Sequence, residues 1–217
     1  ATRYVGLVYV SGDDKMYVFR GNGQRDIWRY DYNGDSFDDA SEMPVTISTG
    51  SDLVYYNGYV YMPRGTGSNF YRYNVSSNAW ETLTSSPSTM QWDRRGTSAG
   101  STLYWARGSG ATFYSYSTSG DSWATLTDAP ASLGNGNDVT YPGSGDYLYV
   151  SRGQNTGSMY RYSISGNSWD DAAMADLPSG IRMYIGSRMS TDNTYIYALT
   201  GGTGPAKLYR YVIAGDS

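Results

Sequence analysis

The 217-residue chain carries a formal net charge of −4 and contains neither cysteine nor histidine. Those two blanks exclude a disulfide framework and thiol nucleophiles, remove the commonest metal ligands, and leave no imidazole to titrate near neutrality. The acidic balance speaks against nucleic acid, and the lack of an 18-residue apolar run speaks against a membrane-spanning helix.

In chain order, the first predicted strand is the apolar "YVGLVYV" at 4–10, closed by the turn "SGDD". "KMYVF" at 15–19 follows, then a turn containing Arg20 and Gly21, then a third strand, "IWRYDY", at 27–32. The tight hairpin "NGDS" comes next, where Asn, Gly and Asp supply the positive φ of short loops. A fourth strand carries Phe37 and is expected to end at Pro44, since proline suits the end of an outer strand that donates no ladder bond.

The same order is then rewritten four times. Second strands recur as "YVYM", "TLYWA", "YLYV" and "YIYAL", and third strands as "FYRYNV", "TFYSYST", "MYRYSI" and "LYRYVI". The glycine between them falls at Gly21, Gly65, Gly108, Gly153 and Gly201, at spacings of 44, 43, 45 and 48 residues. A Tyr column follows at Tyr30, Tyr73, Tyr116, Tyr162 and Tyr211, and an outer-strand aromatic at Phe37, Trp80, Trp123 and Trp169, with prolines at Pro87, Pro130 and Pro178. A β-type repeat near 45 residues predicts an all-β, five-bladed β-propeller of four-stranded blades, approximately 1–44, 45–87, 88–130, 131–178 and 179–217. The phrase repeats because one small sheet cannot bury both of its faces and neighbouring copies do so for each other. The Tyr and Trp columns are accordingly read as inter-blade packing rather than ligand stacking.

The Tyr-to-Trp spacing from Tyr73 to Trp80, and the tails Trp80, Leu83, Pro87 and Trp123, Leu126, Pro130, resemble the Kelch repeat over essentially the whole chain. Kelch units usually carry two glycines after the second strand. Here Arg20, Arg64, Arg107 and Arg152 replace the first of the pair, which survives only as Gly201-Gly202. The resemblance implies the propeller architecture. It implies no one activity, because Kelch-type propellers serve as enzymes, adaptors and binding modules alike.

Two candidate surfaces follow. The fifth unit stops at "AGDS", so the last blade is expected to lack its outer strand and to leave residues Lys207, Leu208, Tyr209, Arg210, Tyr211, Val212 and Ile213 as an open edge. An unguarded, Tyr-rich edge invites strand addition from another chain. Propeller topology also sorts the loops. Asp13, Asp14, Asp35, Asp121, Asp146, Asp192 and Asp216 fall on one face, while Arg20, Arg64, Arg107 and Arg152 fall on the other beside Arg3, Arg94, Arg95 and Arg182. Such an Arg-ringed face suits a carboxylate, phosphate or glycan ligand, or the acidic face of a second copy; local pairing of each Arg and simple turn preference for Asp account for the same pattern.

Chemistry is mostly excluded. "DYNGDSFDD" at 31–39 has the wrong Gly–Asp order for a calcium loop, and the Arg-Gly turns lead into strands and lack a P-loop lysine. The expected protein is a non-enzymatic binding or assembly module without cofactor or metal, extracellular or at a cell surface, whose partner is a copy of itself or another protein. A glycan or anion held over the Arg ring is the alternative.

Overall fold

The computed structural model describes residues 6–20, 23–47, 52–65, 67–90, 95–171, 174–202 and 205–213. The first sheet joins β1 (Gly6–Val10), β2 (Lys15–Phe19), β3 (Ile27–Asp31) and β4 (Ser36–Asp39). The second joins β5 (Val54–Tyr56), β6 (Tyr59–Pro63), β7 (Phe70–Asn74) and β8 (Ala79–Leu83). The third is β9 (Gly96–Ala99), β10 (Thr102–Ala106), β11 (Phe113–Ser117) and β12 (Ser122–Thr125). The fourth is β13 (Asp138–Thr140), β14 (Tyr147–Ser151), β15 (Met159–Ser163) and β16 (Ser168–Asp170). The fifth has three strands among the described residues: β17 (Arg188–Thr191), β18 (Tyr195–Leu199) and β19 (Leu208–Val212). Consecutive strands are antiparallel neighbours, and no described helix is long and apolar enough to cross a membrane.

Two compact units divide the chain, Ala1–Trp92 with Ser117–Trp123, and Asp93–Tyr116 with Ala124–Ser217. The first has a core of Val10, Tyr17, Phe19, Ile27, Val60 and Met62 with their neighbours. The second has one core around Phe113, Leu133, Leu148 and Tyr162 and another around Met159, Met183 and Ile196. In the middle sheets the second strand is buried almost throughout, so β6, β10 and β14 read as continuous apolar runs rather than alternating ones. Strands β1 and β19 alternate instead, and expose Leu7 and Tyr9 in one and Leu208 and Val212 in the other.

The outer strands are shorter than the sequence predicts. They end at Asp39, Leu83, Thr125 and Asp170, several residues before Pro44, Pro87, Pro130 and Pro178. The residue before each proline turns its amide onto the loop between second and third strands: Met43 N to Arg25 O, Ser86 N to Ser68 O, Ala129 N to Ala111 O and Leu177 N to Gly157 O, at 2.8–3.1 Å. Proline holds its predecessor extended and has no N–H of its own, so it marks this crossing and not the strand end. Three residues beyond each proline but the last, and five beyond that one, an apolar side chain plugs the crossing: Ile47, Met90, Leu133 and Met183, each at most 1% exposed.

The glycine column has a geometric cause. Gly65, Gly108 and Gly153 all adopt positive φ, and a Cβ on Gly153 would lie 2.4 Å from Asn137 N and 2.6 Å from Asn135 O.

Candidate functional site

The hairpin into each complete outer strand after the first grips the preceding sheet at two points. Asn78, Asp121 and Asn167 sit at positive φ, a conformation that Asn and Asp tolerate better than other side chains. Their side-chain oxygens accept the amides of Ser41, Thr84 and Thr127 at 2.8–2.9 Å. Two residues later, Trp80, Trp123 and Trp169 donate their indole N–H to the carbonyls of those same three residues at 2.8–2.9 Å. Each indole also meets a phenyl ring edge-on, Trp80 on Phe19, Trp123 on Phe70 and Trp169 on Phe113. The Trp column is therefore inter-blade packing, as its repetition suggested. The Asn/Asp two residues before it had been legible only as a turn residue. Phe37 holds the Trp position in β4, has no N–H to donate, and is 64% exposed.

A second device ties third strand to fourth. In β7, Arg72 bonds Glu81 of β8 at 2.6 Å and stacks over Tyr59 at 4.3 Å. In β15, Arg161 bonds Asp170 of β16 at 2.9 Å and stacks over Tyr147 at 4.4 Å. The acid is in each case the residue after Trp, and the register sets Tyr73 opposite Trp80 and Tyr162 opposite Trp169.

The predicted open edge, Lys207 to Ile213, contains β19. Its register with β18 places Leu208 opposite Leu199 and Val212 opposite Tyr195. Thr200 N donates to Lys207 O and Ile213 N to Thr194 O, so the odd-numbered residues turn their backbone groups towards β18. Antiparallel alternation then turns those of Leu208, Arg210 and Val212 outwards. Arg210 stacks over Tyr195 at 4.7 Å, as its counterparts do over Tyr59 and Tyr147, but no described carboxylate pairs with it. Beside the strand lies a groove of about 210 Å³ lined by Met159, Met174, Leu177, Ile196, Ala198 and Tyr211.

The predicted Arg residues serve varied ends. Arg20 pairs with Asp26 at 2.9 Å, Arg152 reaches Ser132 O and Arg182 bonds Asn155 O, while Arg95 is only 5% exposed. Arg64 and Arg107 follow directly after β6 and β10, and Arg3 and Arg94 lie outside the described residues. Within the second unit, Arg182 and Lys207 line one cavity of about 560 Å³ together with Asn155, Tyr184 and Thr200.

The hairpin aspartates are held locally. Asp14 accepts the hydroxyls of Tyr32 and Tyr9, which hold its carboxyl below the usual range, and the bond to Asp14 in turn pushes Tyr9 up to about 12. Asp192 is lowered chiefly by the Tyr195 amide and by the Tyr197 hydroxyl, and Asp146 by the Ser163 hydroxyl. Asp31 Oδ1 accepts the amides of Asn33 and Gly34, so the loop that resembled a calcium site is an Asp-capped turn. Asp216 lies outside the described residues.

No family model matches the chain, and no curated protein matches it. Among solved structures it resembles the one titled "Structure of YjhT", at 13% identity and a TM-score of 0.69, covering 91% of this chain and 72% of that one. A likeness at that identity speaks for the fold. The chain is an all-β, five-bladed β-propeller.

Proposed function

We propose that this Kelch-like propeller works by binding, without a catalytic step, and that it captures an extended strand of another polypeptide on the outer edge of β19. One observation carries the reading: among the described residues β19 pairs with β18 alone, and it holds Leu208 at 66% and Val212 at 50% exposure. Outward N–H and C=O groups flanked by apolar side chains are what β-strand addition uses for affinity. The Tyr-, Gly- and Ser-rich, Lys-poor composition favours an extracellular or surface setting in which copies of the chain associate.

Light scattering on purified protein tests this. The 217-residue chain is expected to associate in a concentration-dependent way, and the chain extended after Ser217 by "WATLTDAP", a copy of 123–130, to be monomeric. Equal particle sizes for the two would overturn the reading.

A second reading rests on the cavity holding Arg182 and Lys207, whose cations and the Tyr184 ring suit an acidic glycan or other small anion. In this reading Arg182→Ala with Lys207→Ala abolishes binding on a glycan array while the melting temperature stays put. Silence of the wild-type protein on acidic glycans rules it out.

A further inference from the structure

The turn between second and third strands of the fourth sheet departs from its repeats. In the first sheet Gly23, at φ +78°, donates its amide to Ile47 O at 2.7 Å; in the fourth, Asn155 makes the matching bond to Met183 O at 2.9 Å. Asn155 takes the left-handed conformation with a side chain, at +58°, and Gln154 before it is left-handed too, at +52°. Two such residues in succession are uncommon, and backbone strain of this kind gathers at ligand clamps. The backbone itself holds the turn, since Gln154 N donates to Asn135 O at 2.8 Å and Thr156 N to Gly153 O at 3.0 Å. The Gln154 carboxamide is therefore not needed to shape it. Gly134 nevertheless leaves room for that carboxamide: its φ is not left-handed, and a Cβ there would lie 2.6 Å from Gln154 Nε2.

Gln154 lines a hollow of about 290 Å³ with Gly108, Ser109, Gly134, Asn135 and Tyr184, and none of these carries a charge. Gln154 Nε2 donates to Ser132 Oγ at 3.1 Å. Among the described residues, the Ser109 hydroxyl, the Asn135 carboxamide and the Tyr184 hydroxyl bond no protein group. Hydroxyls and carboxamides each both donate and accept, so this lining matches a ligand built of hydroxyls and offers no cation to a phosphate or carboxylate. Tyr184 adds an apolar ring face, and its backbone is pinned, because its N–H donates to Ser187 Oγ and its carbonyl accepts the Ser187 amide, both at 2.8 Å. A volume of about 290 Å³ holds roughly ten waters at about 30 Å³ each, which suits one small polar ring rather than a peptide.

We infer that this hollow binds a neutral sugar ring, whose hydroxyls replace that water on Ser109, Asn135 and Gln154 while its apolar face lies against Tyr184. The site needs neither strand capture nor the anion reading, for it shares only Tyr184 with the cavity of Arg182 and Lys207.

The probe is an array of neutral gluco-, galacto- and manno-oligosaccharides, followed by NMR titration of the 217-residue protein with the best-bound member. At least one series should bind and shift the amides of Ser109, Asn135 and Gln154. Gln154→Gly suits the left-handed backbone and removes only the carboxamide, so it should melt no lower than wild type yet bind about tenfold or more weakly. Gly134→Ala, which crowds the carboxamide from the other side, should weaken binding in the same direction. Arg182→Ala with Lys207→Ala should leave neutral-sugar affinity within about twofold, whereas it abolishes binding of an acidic glycan held by the cations. Silence of every neutral series overturns the inference, as does binding that Gln154→Gly leaves unchanged. Loss of neutral-sugar binding in the Arg182 and Lys207 variant would place the ligand in the cationic cavity and overturn it as well.

Discussion

Trp169 donates its indole N–H to the carbonyl of Thr127, 42 residues earlier, at 2.8 Å. Asn167 meanwhile accepts the amide of that same threonine on its side-chain oxygen and the threonine hydroxyl on its backbone carbonyl. One residue of the third blade's outer segment is thus held on both sides by the hairpin of the fourth. Trp169→Phe keeps the ring packing on Phe113 and removes one bond, so it should destabilise by about 1 kcal/mol. Trp169→Ala also removes the ring from a half-buried site and should cost about 2–3 kcal/mol. Urea unfolding of the two variants separates the hydrogen bond from the packing, and an unchanged stability in Trp169→Phe would show that the bond contributes nothing.

Asp138 performs a comparable task inside the second unit. It is 6% exposed, and its carboxylate accepts the amide of Met189 in the neighbouring sheet at 2.7 Å and that of Val139 at 2.9 Å. Asp138→Ala strands a buried backbone amide that had a charged acceptor, with an expected loss of about 2–3 kcal/mol. Amide exchange at Met189 should speed up in that variant before exchange in β14 does.

At Gly153 a methyl group would collide with the backbone at Asn137 and Asn135, and the local φ is +68°. Gly153→Ala should therefore destabilise by about 2 kcal/mol or more, well beyond the ordinary cost of positive φ. Gly145, also at positive φ but facing open space, is the control. Gly145→Ala should lose only about 1 kcal/mol, and calorimetric melting of the pair checks the ordering.

Alkaline pH should loosen the fold through its tyrosines. Burial pushes Tyr162 from the ordinary value of 10.0 up to about 12, and burial with the Asp13 carboxylate raises Tyr17 further. Because the folded state holds these protons more tightly, the stability they contribute is complete below pH 10 and drains as pH rises towards 12. Tyr162→Phe removes one titrating group, so its melting temperature should fall less steeply over that window even though it starts lower. A slope identical to wild type would show that Tyr162 ionises without penalty.

The five-sheet plan was legible because its causes are local and repeated. Alternating Tyr and Val define strands, Gly-Asp and Asn-Gly pairs close hairpins, and the spacing of Gly65, Gly108 and Gly153 counts the units. Trp80, Trp123 and Trp169 could be read as packing residues for the same reason. The prolines misled because a proline marks any place where an amide is unwanted. Only the folded chain shows that the place is a loop crossing, plugged by Ile47, Met90, Leu133 or Met183, and not a strand end.

What the amino-acid order determined by itself was the succession of strands, since propensity and turn chemistry act between near neighbours. Tertiary structure alone decided which side chains meet across the strands. The repeated Arg and Tyr of the third strands have meaning only once register sets Tyr162 against Trp169 and Arg161 against Asp170, because antiparallel pairing brings together side chains that are distant along the chain.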